Sequence, residues 1–589
     1  MTQTRREFLG LTKSNEKFIS NISPYANKKL PKFGARSALD LTKVTTNLTR
    51  AEATHIMRRL MIAPNKSDID YATGKDISTV VDFMLNPLAG AMNPAPPVRY
   101  YTQELDKRTN LSAIPPVPSR DVAYGATWVG KPRLLPDPLT PNDFNDSINP
   151  IMAARRASFK NWWVGNLLNQ DRSILEKMLI FWHNHFAIED DVVQDPDFLW
   201  QHFSMLRANA LGNFRDLVRL VTIDPLMLYY LNNRLNVKGA PDENYARELQ
   251  ELFTLGRGSG YTEDDVKAMA NVLTGHSINY TTFTYEFKPN NHETGDKQFS
   301  AFYNSTKIIG KTSMGGGSEL DDLYNMIFAK DDIVSRFIVR KIYRFFVYYT
   351  IDQFTEDNVI IPLANIFKSS WDIKPVLKKL FESAHFMDMI SQSCNIKNPV
   401  DMVVSPFRMF NASFSAAPTD EQKYNIWNSI RNQMVVLQME PGNPPNVAGW
   451  QAYYQEPQYY EIWINSDTYP KRMAMIDTFI TGNFRNSGIS LKPDFLAWVD
   501  ANISDPADPN VLISELSALL LGLDISTAVK NAYKTSYLLT GQVTDSYWTN
   551  AWNAWKSAPT VPANITGAYD NRLKPLIIQL LKLEEFQLS

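Results

Sequence analysis

The sequence predicts a mainly α protein: a large helical domain carrying an inserted β-hairpin and long Pro-rich and aromatic loops. Three observations predict it. Apolar residues recur at helical spacing, as at Leu175, Met178, Leu179, Trp182 and Phe186, which fall at i, i+3, i+4, i+7 and i+11. Helix-start signatures accompany such stretches: Thr262-Glu263-Asp264-Asp265 has the form of a capping box with Asp in place of Glu, and Ser318 with Asp321 repeats the pattern. Residues 277–310 alone switch to a β-prone, alternating pattern.

In chain order, residues 1–40 are polar and basic and read as an arm. From Ala51 the spacing of Ile56, Leu60 and Met61 predicts a helix, and Ser78 to Leu85 a second. Residues 91–141 hold ten prolines, including Pro96-Pro97 and Pro115-Pro116. Proline lacks an N–H and restricts the residue before it, so this segment is an extended wrap over a body formed by other segments. From Asn145 to Gly275 the pattern is helical. Thr281 to Phe287 alternates, Pro289-Asn290-Asn291 is a turn signal, and Phe299 to Ile309 is a second strand region, together the inserted hairpin. Helices resume at Ser318 and run through Arg336 to Tyr348, Phe354 to Phe367 and Lys374 to Phe381. An aromatic loop covers Pro441 to Asn465, and a last helix opens near Pro575, a favoured first-turn residue. The organisation read from this is an arm (1–40), a helical core with the wrap and the hairpin (41–395), and a C-terminal helical part packed on it (396–589).

Composition removes several function classes. Of 589 residues, 44% are hydrophobic and 21% charged, which is globular rather than disordered. Lys+Arg 60 against Asp+Glu 62 gives a net charge of -2, without the basic excess of a nucleic-acid binder. The single cysteine, Cys394, rules out an internal disulfide and a Cys-rich metal site. No apolar run approaches the ~20 residues of a membrane span.

Several stretches together resemble the bacterial domain-of-unknown-function 1800 family. They are Phe181-Trp182-His183-Asn184-His185-Phe186, Glu243 to Gly256, Gly260 to Val266 with Leu273-Thr274-Gly275, Arg336 to Lys341, Pro444 to Trp450, and Glu584-Glu585-Phe586-Gln587. They run in one order over roughly residues 50–589. The resemblance implies a mainly helical fold, an exported protein, and a neighbouring gene from another uncharacterised family, number 1501. It supplies no reaction. The chain departs from the family pattern in its leader, at Gln451-Ala452-Tyr453 where Pro-Gly-Gly is usual, and at Asn291-His292-Glu293 where a His-Asp pair is usual.

Two groups of side chains are candidates for function. The first is polar: His183, His185, Glu243, Asn244, Arg247, Glu248, Glu251 and His292. His183 and His185 form a His-x-His pair, but on a helix residues two apart are about 200° apart and cannot share one ion. Their plainer role is to hydrogen-bond backbone and hold the Trp182 helix. Glu243, Arg247 and Glu251 are spaced for an ion-pair ladder, either a solvated face or a buried network met by Arg340 or Lys341. The second is the aromatic group Trp450, Tyr453, Tyr454, Tyr459, Tyr460 and Trp463, which either covers the core or forms a contact surface. Gly310-Lys311-Thr312 fails as a phosphate loop, because Ser305 stands where its first glycine belongs.

The function expected is that of a cell-envelope protein, non-catalytic or partner-dependent, serving interaction or assembly. The 1501-family neighbour is the partner expected. No cofactor motif is complete. The alternative is a metal-assisted hydrolase in which His183 or His185, His292 and a carboxylate of the Glu243–Glu251 helix hold an ion. Arg5-Arg6-Glu7-Phe8-Leu9 looks like a twin-arginine export motif, but Lys13, Glu16 and Lys17 break the apolar segment that should follow. Export without a removable leader and a cytoplasmic descendant of exported relatives both fit this N-terminus.

Overall fold

The first described helix, α1 (Arg50–Leu60), starts where its sequence says it must. The Thr49 hydroxyl accepts from the Glu52 amide while the Glu52 carboxylate accepts from the Thr49 amide, a complete capping box. The structure, a computed structural model, describes residues 39–589 apart from Leu111 and Ile114. The twin-arginine-like motif and nearly all of the basic arm lie outside these residues. The described chain is mainly helical, as the apolar spacing predicts.

The principal helices that follow are α2 (Asn149–Leu168), α3 (Leu175–His185), α4 (Asn244–Glu248) and α5 (Glu263–Val272). Four short strands come next, β1 (His276–Asn279), β2 (Thr284–Phe287), β3 (Lys297–Gln298) and β4 (Lys307–Ile308). Then come α6 (Asp331–Phe346), α7 (Pro399–Met409), β5 (Ser413–Phe414), α8 (Asp420–Val436), β6 (Arg485–Asn486), β7 (Ile489–Lys492) and α9 (Lys574–Lys582). Further helices, among them Pro196–Asn209, Thr468–Ile480 and Pro509–Leu521, fill the intervals. One apolar core runs from Leu41 to Phe586. The C-terminal part is tied into it: Arg58 on α1 donates to the carbonyls of Leu519 and Leu520, and buried Arg472 donates to the Lys397 carbonyl and the Gln587 amide oxygen.

The inserted hairpin is present but smaller than its sequence pattern. β1 and β2 are antiparallel, with His276 opposite Phe287 and Asn279 opposite Thr284. Thr281 to Phe283 belong to the turn, because the Asn279 side chain accepts from the amides of Thr281 and Thr282. The second strand region does not pair with the first. It forms its own ribbon, β3 with β4. A further three-stranded sheet, β5-β7-β6, lies outside 277–310 and was not expected. The Thr262–Asp265 box forms. The Ser318 box does not: Ser318 donates to the Gly315 carbonyl, and the helix entry is governed by buried Glu319, bonded to His292 and Lys297.

The Pro-rich segment crosses α2 and α8 as an extended strap, with no helix among its described residues between Asn93 and Asp143. Tyr100 stacks on Tyr424 of α8 at 5.0 Å, and the Trp162 indole of α2 donates to the Ala95 carbonyl. Prolines leave such a segment short of ladder bonds, and side chains replace them. Asp106, whose side chain is fully buried, accepts from Arg108 and Arg120, and Arg120 also spans to Asp143 at 2.7 Å. Burial opposes ionisation of Asp106, but the two guanidinium groups outweigh it and hold its carboxyl well below the usual range.

Candidate functional site

Six stretches far apart in sequence carry the resemblance, and four of them meet at the C-terminal end of α3. The helix persists through His185 and ends at Phe186. Trp182 is fully buried against Phe186 and Phe214, its indole N–H on the Ala210 carbonyl. The two histidines of this turn therefore face different ways. His183 lies buried, edge-on to Trp163 and Trp450 at 5.4 and 5.7 Å. Burial, with His202 nearby, pushes it down to about 3, so it is neutral, and its Nε2 has no protein partner.

His185 faces the Glu243–Gly256 stretch, whose chain path explains the contact. After α4 the segment Leu249–Thr254 winds as a π-helical turn that stops before Gly256. Helix ends leave carbonyls without amide partners. Two of them are met from outside: the Phe253 carbonyl by His185 Nε2 at 3.1 Å, the Leu252 carbonyl by Lys341 Nζ at 3.2 Å. A carbonyl only accepts, so Nε2 carries the proton and Nδ1 is an acceptor. Lys341 Nζ stands 3.1 Å from Nδ1 and donates to it. Burial and then Lys341 hold His185 well below its ordinary value. Burial and then Arg344 bring Lys341 down to about 7. A cation at a helix C-terminus is electrostatically favoured, and the Lys341 ammonium also stands 4.7 Å over the Phe337 ring.

The Pro444–Trp450 stretch joins at Asn184. Its Oδ1 accepts from the Trp450 amide at 2.8 Å. Gly449 has φ +85 and lies so close that an added Cβ would stand 2.3 Å from that oxygen, so only glycine fits. This contact sets the aromatic loop beside α3 and α6. Trp450, Tyr459, Tyr460 and Trp463 are buried, Tyr453 is half-buried and Tyr454 is exposed at its rim. The rings are at once core cover and cleft wall.

The cleft enclosed here is lined by Arg59, Lys177, Lys341 and Arg344, by Asp401, and by tyrosines 349, 453, 454, 459 and 460. Its one acidic side chain is consumed, since Asp401 pairs with Lys177 at 2.5 Å, and Ser589 also lines the cleft. Arg344 donates to the Tyr349 carbonyl and lies 5.1 Å over the Tyr459 ring. Buried Arg59 donates to the Ser391 carbonyl and to Cys394 Sγ at 3.0 Å, and its Nε lacks an acceptor. Sequence reasoning did not find Arg59, Lys177, Tyr349 or Arg344. The usable signal was adjacent charge on apolar helices, Arg58-Arg59 and Arg340-Lys341.

The polar candidates do not assemble. Of His183, His185, Glu243, Asn244, Arg247, Glu248, Glu251 and His292, only His185 lines the cleft. The ladder breaks because the π-turn begins at Leu249. Arg247 pairs with Glu243 at 3.2 Å and with Glu263 of α5 at 2.7 Å, while Glu251 turns toward Arg257 and the Tyr261 hydroxyl. Arg340, expected as an outside partner, pairs with Glu356 instead. Half-buried Glu248 rises to about 7, by burial and then by Glu251. Asn244 is exposed. His292 is buried elsewhere, between the Thr274 carbonyl and Glu319. Among the described residues no group of three or more His, Cys, Asp or Glu is placed to hold one metal ion. No described helix is long and apolar enough to cross a membrane.

A family model described as a protein of unknown function, DUF1800, matches residues 55–588. No curated protein and no solved structure matches the chain.

Proposed function

The chain belongs to that family, and on this premise we propose that it is a partner-dependent interaction component rather than a self-sufficient enzyme, with the cleft beside α3 as its contact site. The observation that carries the reading is the wall of the cleft. A loop rich in tyrosine and tryptophan is held rigid by Asn184 and Gly449 while Tyr454 stays at the rim. Aromatic rings on a fixed backbone bring large contact area at small entropic cost, which is the character of interface anchors. The chemistry of the cleft points the same way. Its one histidine has both ring nitrogens engaged, and its one side-chain carboxylate is paired.

The partner we propose is a protein of the 1501 family, and the compartment is the cell envelope. Both rest on the resemblance and on the Arg5-Arg6 motif. Calorimetry with the purified partner tests the first. Binding that Tyr454→Ala weakens by about tenfold or more, the ~1.4 kcal/mol of a modest hot spot, is expected. Binding indifferent to Tyr454→Ala and Tyr459→Ala would remove the cleft from the interface. Fractionation of source cells carrying the wild-type or Arg5→Lys, Arg6→Lys chain tests the second. A wholly cytoplasmic wild-type pool would refute it.

A further inference from the structure

Positive charge in the cleft exceeds what the protein itself neutralises. Lys177 has Asp401. For Arg59, Lys341 and Arg344 no carboxylate lies within 4 Å among the described residues, although the chain holds 62 acidic side chains. Two further acids beside the rim are engaged by its tyrosines, and one of them, Glu461, accepts from the Tyr349 hydroxyl at 2.8 Å. The tyrosine hydroxyls are likewise occupied: Tyr459 donates to Glu456, and Tyr460 donates to the Cys394 carbonyl at 2.8 Å. What remains for a ligand is guanidinium and ammonium charge framed by ring faces. Desolvated cations that meet only neutral acceptors are costly to keep, and an incoming anion offsets that cost.

Size narrows the ligand. The free volume is about 60 Å³, several times the ~10–15 Å³ that one water needs. It admits a small charged head and excludes a folded segment.

We propose that the cleft between α3, α6 and residues 450–463 is an oxyanion site that seats one carboxylate or phosphate head on Arg59, Lys341 and Arg344. The inference deepens the contact reading by naming what the contact chemistry recognises, and it rests on that reading only for the place. Both heads share the required chemistry, two or more acceptor oxygens with negative charge, matched to the fork of an arginine.

The experiment is calorimetric titration of the purified full chain with inorganic phosphate and, separately, with glutarate, at low salt. One-to-one binding of either is expected, weakening as salt rises. Phosphate alone, or glutarate alone, identifies the head. Arg344→Gln should weaken binding at least tenfold. Arg336→Gln, about two turns nearer the start of α6 and outside the cleft lining, should leave it unchanged. If Arg344→Gln fails to fold, Lys341→Met is read in its place. Binding of neither anion, or equal loss in the Arg336 and Arg344 variants, overturns the proposal. Anion binding that persists while the 1501-family protein is ignored would sink the contact reading and leave this one standing. The reverse pattern would sink only this one.

Discussion

The Pro-rich strap and the cleft both gather arginines in partly or fully buried places, and they settle the charge in opposite ways. In the strap Arg108 and Arg120 converge on Asp106, Arg120 reaches Asp143, and Arg155 pairs with Asp121 at 2.8 Å. In the cleft Arg59 and Arg344 meet carbonyls, a thiol and a ring face. The strap needs its ions because it has few backbone bonds of its own, so carboxylates meet its guanidinium groups directly. The cleft keeps its cations without anions, as Arg58 and Arg472 do in the core, but here the cations stand beside a cavity. Charge that is closed on itself holds a chain in place; charge left open awaits something from outside.

Four variants put this contrast to the test. Asp106→Ala should be the most damaging, about 3–5 kcal/mol in urea unfolding, because it removes the buried carboxylate on which two guanidinium groups converge and leaves Arg108 with Asp137 and Arg120 with Asp143 alone. A loss below ~1 kcal/mol would show that the strap is not held by its ions. Gly449→Ala should cost about 2–4 kcal/mol, from positive-φ strain and the clash with Asn184. Near-UV circular dichroism should register the displaced Trp450; an unaltered spectrum would separate the loop from α3. Lys341→Met should be neutral to about 2 kcal/mol stabilising at pH 7, since it removes a desolvated charge with no counter-ion. A clear destabilisation would place Lys341 with the strap arginines as a structural ion.

The smallest effects are in pH. Folded Lys341 releases its proton at about 7, whereas an unfolded lysine holds it to ~10.4. The unfolded chain binds more protons across that window, so wild-type stability rises with pH there and the advantage of Lys341→Met should fade toward pH 10. Glu248 runs the other way. Its folded value of about 7 lies above the usual ~4.3, so stability falls between those values as the folded carboxyl is forced to ionise. The half-exposed side chain limits this to less than ~1 kcal/mol, and Glu248→Gln should flatten the slope. An unchanged slope in that variant would show that another group sets it.

Local signals in this sequence were readable where a few neighbouring residues decide the outcome. Thr262 and Asp265 are three apart and cap their helix as written, and the 200° separation of His183 and His185 follows from helix geometry alone. The reading failed where a distant residue decides. Ser318 carries the pattern of a cap, but buried Glu319 answers to His292 and Lys297 and sets the helix entry. Glu243, Arg247 and Glu251 have ladder spacing, yet the turn at Leu249 is π-helical and carries Glu251 away. The cleft could not be seen at all in one dimension. Arg59, His185, Lys341 and Tyr459 come from four segments, and no pattern of charge along the chain announces that they share a wall.

Arg58 finds its carbonyl partners 461 and 462 residues downstream, on Leu519 and Leu520. At ~5–20 residues per second of synthesis, α1 waits roughly 20–90 s before the groups that satisfy its guanidinium exist. Residues 395 and 397 wait in the same way for the backbone of residues 587 and 589. These ties between the two ends therefore close late, after the intervening chain has been made. Whatever handles this chain in the cell, a chaperone or an export machine, meets for most of that interval a polypeptide in which Arg58 of α1 has yet to meet its acceptors.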